Sequence, residues 1–193
     1  MAHGPQGTVK DFSYATDVAA SGEILVLASR VNTDKIHDGV DLRGLRLAKD
    51  IFEVVQRHRS LETISLVGSS IEGLYGCYAV AHLFDRRAER LADWVADKLV
   101  IVASSNLGVR QFGVYRFFQG MIPIAHPLLF HRARQLFLCD DGCLLERMTL
   151  DSAVSSGWFL SSLRAFRSRM LYANVRNDFM VNYGSPALDA YVK

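Results

Sequence analysis

Short apolar runs alternate along this chain with longer stretches of helical periodicity, and that alternation restricts the fold more than any other feature. Residues 24–28, 64–67, 99–103 and 169–173 each read as a strand, bounded by glycine or polar residues. Their near-continuous apolar character fits strands covered on both faces, as in parallel sheets. Between the first two runs, Leu45, Ala48, Ile51, Phe52 and Val55 recur at helical spacing, with Arg46, Lys49, Asp50, Glu53 and Arg57 opposite them. This predicts an amphipathic surface helix, with a turn at Asp38-Gly39 and Asp41 as its cap. Residues 71–84 are apolar nearly all round, with Glu72 and His82 as exceptions, which predicts a buried central helix. Two further helices are expected near 128–138 and 158–166. Strand, helix, strand, helix, strand, insertion, strand is the order of an α/β fold with a mostly parallel sheet. Functional residues of such sheets sit at the carboxyl ends of the strands. That directs attention to the segments beginning at Ser29, Gly68, Ser104 and Val175.

At 193 residues the chain fits one domain spanning 1–193, with 104–167 as a helical insertion before the last strand. A net charge of +2 gives no global field for nucleic acid, and no nucleic-acid partner is expected. The three cysteines, Cys77, Cys139 and Cys143, cannot all pair, so they read as reduced thiols of a cytoplasmic protein. No second Cys/His pair accompanies Cys139 and Cys143 at ligand spacing. Asp34, His37, Asp38 and Asp41 read as a turn and a helix cap, so no metal and no cofactor is expected. The N-terminus lacks the basic and apolar regions of a signal peptide. The most apolar segment, 112–130, is interrupted by Arg116, Gln119, Pro123 and His126. It reads as a buried loop–helix segment, with peripheral contact to a membrane surface as the alternative.

The sharpest motif is Val67-Gly68-Ser69-Ser70-Ile71-Glu72-Gly73, where a strand runs through a tight turn into the buried helix. This is the context of a nucleophile elbow, in which a strained turn presents a serine hydroxyl in front of a helix N-terminus. The G-x-S-x-G pattern calls for glycine at 72, where Glu72 stands. By pattern alone, the turn also reads as an ordinary N-cap serine.

Residues Ile64-Ser65-Leu66-Val67-Gly68-Ser69-Ser70-Ile71-Glu72-Gly73-Leu74-Tyr75 resemble the elbow of the serine esterase family of lipase-like α/β-hydrolases, which typically reads I-S-F-V-G-H-S-L-G-G-L. Three other stretches match the family in order. His3-Gly4-Pro5-Gln6-Gly7-Thr8 resembles its oxyanion loop. Residues 28–34 followed by Asp38-Gly39-Val40-Asp41 resemble the loop after its next strand. Tyr172-Ala173-Asn174-Val175-Arg176-Asn177-Asp178 resembles the segment carrying its acid. The resemblance spans nearly the whole chain. It implies an α/β-hydrolase-like three-layer sandwich, with Ser70 as nucleophile, Asp178 as triad acid, and Gly4, Pro5 and Ile71 in the oxyanion loop.

The chain departs from the family in ways that bear on activity. All six histidines (His3, His37, His58, His82, His126 and His131) precede Asp178, whereas this fold uses the order nucleophile, acid, histidine. Without a base a serine hydroxyl is a poor nucleophile at neutral pH. Pro5 has no N–H to offer an oxyanion. Glu72 brings a carboxylate to a place where a negative charge opposes oxyanion stabilisation. The strand that should lead into His3, and lie between the runs at 24–28 and 64–67, is missing, so the chain reads as truncated at both ends.

The function implied is hydrolysis of carboxylic esters, lipid esters foremost, through an acyl-serine, with weak or no activity in this chain. A non-catalytic relative that binds a lipid or a protein partner is the alternative. A Rossmann-type nucleotide domain is disfavoured because no glycine-rich fingerprint follows the first strand.

Overall fold

The computed structural model describes residues 24–33, 35, 37–85, 87–109, 131–149, 158–176, 178, 181 and 183–189. Its centre is a parallel sheet of β1 (Thr63–Ser69), β4 (Val95–Val102) and β5 (Ser168–Tyr172), in the order β1-β4-β5. Between β1 and β4 run α2 (Ile71–Leu83) and a small antiparallel hairpin, β2 (Phe84–Asp85) with β3 (Arg90–Leu91). Helix α1 (Val40–Arg57) precedes β1, and α3 (His131–Leu136), α4 (Leu144–Thr149) and α5 (Trp158–Arg164) precede β5. The chain is therefore an α/β protein with a parallel sheet, as its alternation requires.

Helix α1 buries Val40, Leu47, Ala48, Ile51 and Val55, a single stripe at helical spacing. Its cap differs from expectation. Gly39, in extended conformation, holds the N-cap position, and Asp41 lies inside the first turn. Asp41 Oδ1 instead accepts from Gln135 Nε2 at 3.1 Å. The first donor of α1, Val40 N–H, is satisfied by Gln135 Oε1 at 2.6 Å. Helix α2 is buried along most of its length, including Ile71, Leu74, Tyr75, Ala79 and Val80. Its glycine at 76 admits the sheet closely: a Cβ there would come within 2.6 Å of Leu66 Cδ2. Leu66, Ala96, Leu99 and Ile101 supply the sheet's contribution to the same core.

The run at 24–28 forms no strand, against expectation. Among the described residues β1 pairs with β4 alone, and the 24–28 run pairs with no strand of the sheet. Ile24 and Leu25 are left 55% and 45% exposed. They line a groove of about 380 Å³, walled on the other side by β1 and by Leu47, Ile51 and Val54 of α1. The groove lies between the 24–28 run and β1. Among the described residues no helix is long and apolar enough to cross a membrane.

Candidate active site

Strand β1 ends at Ser69 and α2 begins at Ile71, leaving Ser70 alone in the turn at φ 56°, ψ −139°. A non-glycine residue at positive φ is strained and persists only where its surroundings dictate it. Two contacts do so here. Ser70 N–H donates to Val102 O at 2.8 Å, and Gly73 N–H donates to Ser70 O at 3.1 Å. Close packing does the rest. A Cβ at Gly68 would lie 2.7 Å from Gly73 Cα, and one at Gly73 would lie 2.8 Å from Ser104 Oγ. The two glycines let the turn close on itself and on the segment after β4.

Ser70 occupies the N-cap position of α2, yet its side chain makes no capping hydrogen bond. An ordinary N-cap serine has extended backbone and bonds its own helix, so the plain capping reading does not describe this residue. Ser70 is half-buried and directly precedes the first turn of α2, whose leading N–H groups, Ile71 among them, have no acceptor within the helix. Gly4 and Pro5, the other members of the expected oxyanion loop, lie outside the described residues.

The register Ser69↔Val102↔Tyr172 brings the three strands to the carboxyl edge level with one another. Ser70 follows the first, Ser104 and Ser105 the second, and Asp178 lies six residues beyond the third. Ser70 and Asp178 thus sit on segments leaving the same sheet edge, with β4 between their strands. Asp178 Oδ1 accepts from Val181 N–H at 2.8 Å, and Oδ2 accepts from Asn174 Nδ2 at 3.0 Å. Segment 104–108 is anchored by the later turn: Ser185 Oγ accepts from Leu107 N–H at 3.0 Å and donates to Gly108 O at 2.7 Å.

Two histidines gather away from the elbow. His131 Nε2 lies 3.3 Å from Asp41 Oδ1 and 3.1 Å from Gln135 Nε2. These groups line a cavity of about 440 Å³ together with Tyr78 and His82. Tyr78 and His82 stand eight and twelve positions along α2 from Ser70, about 12 and 18 Å at the helical rise. Among the described residues Ser70 Oγ has no histidine partner. His3, His126 and segment 112–130 lie outside those residues.

Glu72 is buried and faces Arg43, whose Nη1 is 4.0 Å from its Oε1. Arg43 Nη1 donates to Tyr75 Oη at 2.6 Å, and its guanidinium stacks 4.8 Å from the Tyr75 ring centre. Burial pushes the Tyr75 hydroxyl above its ordinary pKa, with the Arg43 hydrogen bond opposing that shift. The sequence reading passed over Arg43, although the signal was there. Position 43 falls with Val40 and Leu47 on the apolar stripe of α1, where a charge requires a partner. Just before α1, Asp38 accepts from Arg46 at 2.5 Å, and that hydrogen bond holds its carboxyl below the usual value. No group of three or more metal-ligating side chains occurs among the described residues.

No curated protein and no solved structure matches the chain. A profile of the family described as "Putative serine esterase" matches residues 1–190, nearly the full length. The chain belongs to that serine esterase family.

Proposed function

We propose that this chain is a carboxylic ester hydrolase acting on lipid esters in the cytoplasm, with Ser70 as the acylated residue and low turnover. The observation that carries the reading is the strained φ of Ser70 between β1 and the buried helix α2. In this reading Ser70 Oγ attacks the ester carbonyl and the Ile71 N–H receives the oxyanion. Asp178 acts as the acid that orients a base. Segment 104–167 is the proposed cap over the acyl chain, and peripheral membrane contact through 112–130 would fit a lipid substrate. Cys77, Cys139 and Cys143 form no disulfide among the described residues, in keeping with a reducing compartment.

The test is purified protein with a short-chain activated ester and with a fluorophosphonate probe, alongside Ser70→Ala. Labelling at Ser70, with turnover well below the enzyme median of about 10 s⁻¹, is expected, and both should vanish in the variant. Ester turnover that survives Ser70→Ala unchanged would remove the reading.

A second reading, a non-catalytic relative that binds a lipid or protein partner, is favoured by one observation. The Asp178 carboxylate is engaged by Asn174 and Val181 within its own turn. Lipid binding by a chain that the probe does not label would support this second reading.

A further inference from the structure

Glu72 stands where the elbow motif has a small residue, and it is 8% exposed. A buried carboxylate at the second position of α2 lowers the positive potential that the helix N-terminus offers an oxyanion. Arg43 meets it from α1, itself 3% exposed. The 4.0 Å separation of Arg43 Nη1 from Glu72 Oε1 is a charge pairing rather than a hydrogen bond. The hydrogen bonds of Arg43 go elsewhere: Nη1 to Tyr75 Oη, and Nη2 to Asn32 O at 2.8 Å. Asn32 Nδ2 donates back to Arg43 O at 3.0 Å. One side chain therefore joins the turn containing Asn32, the start of α1 and the first two turns of α2.

We propose that Arg43 is a positioning residue for Ser70, cancelling the charge of Glu72 at the head of α2. The inference rests on the reading of Ser70 as a nucleophile. It predicts that the two substitutions compensate. Removing Arg43 alone strands a carboxylate in a poorly screened site, whereas removing both restores the neutral head that a small residue would give.

The experiment measures fluorophosphonate labelling rate at Ser70 and melting temperature in wild type, Arg43→Met, Arg43→Lys, Glu72→Ala and the Arg43→Met/Glu72→Ala double variant. Arg43→Met should label at least about tenfold more slowly, the scale of one charge acting at an effective dielectric of about 20. It should also melt about 10 °C lower, as expected when one partner of a buried ion pair is removed. Glu72→Ala should label as fast as wild type or faster. The double variant should label within about threefold of Glu72→Ala.

A purely structural arginine predicts a double variant as slow as Arg43→Met, and that result overturns the proposal. If the methionine variant does not fold, Arg43→Lys carries the test. It keeps the charge and loses the fork, so it should label within about threefold of wild type at a lowered melting temperature. A tenfold loss in folded Arg43→Lys overturns the proposal equally. A wild-type chain that the probe does not label instead refutes the esterase reading, and the positioning role falls with it.

Discussion

Replacing Ser70 by glycine should make the protein more stable while removing its nucleophile. At φ 56° and ψ −139°, the Ser70 backbone lies where a Cβ is costly and glycine is at ease. Strain of this kind is about 1–3 kcal/mol. Glycine returns part of the gain, about 0.4–1 kcal/mol, through the larger freedom of the unfolded chain. The Ser70 hydroxyl makes no capping hydrogen bond, so its loss adds little. The net gain is about 0.5–2 kcal/mol, which for a chain of this length raises the melting temperature by about 2–6 °C. Ser70→Ala is the control, because it deletes the same hydroxyl and keeps the Cβ. It should melt within about 1 °C of wild type. Calorimetry of the three proteins in one buffer decides the matter, and fluorophosphonate labelling should be absent from both variants. If Ser70→Gly melts at or below Ser70→Ala, the turn is not strained and the argument for a built elbow loses its physical basis.

Gly68→Ala sets a Cβ 2.7 Å from the Gly73 backbone. It should cost about 1–3 kcal/mol by overpacking, with Ser70 labelling reduced in parallel; unchanged melting and labelling would contradict the packing. Asp38 is held below its ordinary pKa of 3.8 by the Arg46 hydrogen bond. Its stabilising contribution is present above that value and lost as pH falls through the lowered one. Asp38→Asn should therefore be less stable than wild type at pH 7, and the gap should close in strong acid; denaturant melts at several pH values check this. Burial pushes the Cys77 thiol up to about 12, whereas Cys143 is exposed. Iodoacetamide at pH 8 should modify Cys143 in the folded protein and Cys77 only after denaturant is added, as read by peptide mass spectrometry.

The elements with a strong period were legible in the sequence. Helices α1 and α2 and the strands β1, β4 and β5 fall where the apolar pattern puts them; the helices and β4 bury a stripe or face, whereas β5 has no buried residue. The apolar run at 99–103 located β4 but not its beginning. Val95–Lys98 carry Asp97 and Lys98 and enter the sheet by pairing with β1 and β5, which no local pattern reveals. Helix α4 and the two-residue strands β2 and β3 are too short to show a period. The run at 24–28 misled for a tertiary reason: its composition is that of a strand, but a strand requires a ladder. At the site, Ser70 was legible because the elbow is a local motif. The role of Arg43 was not, since it depends on which residue of α2 the apolar stripe of α1 meets.

The hydrogen bond from Val40 N–H to Gln135 Oε1 spans 95 residues of sequence. Gly39 offers α1 no side-chain cap, so the helix depends for its first turn on a segment synthesised much later. At about 5–20 residues per second, roughly 5–20 s of synthesis separate the two partners. During that interval the head of α1, including Arg43, lacks the amide that ends its fraying. The first turn of α1 is then completed only when α3 docks against it, so this contact between distant parts of the sequence closes late.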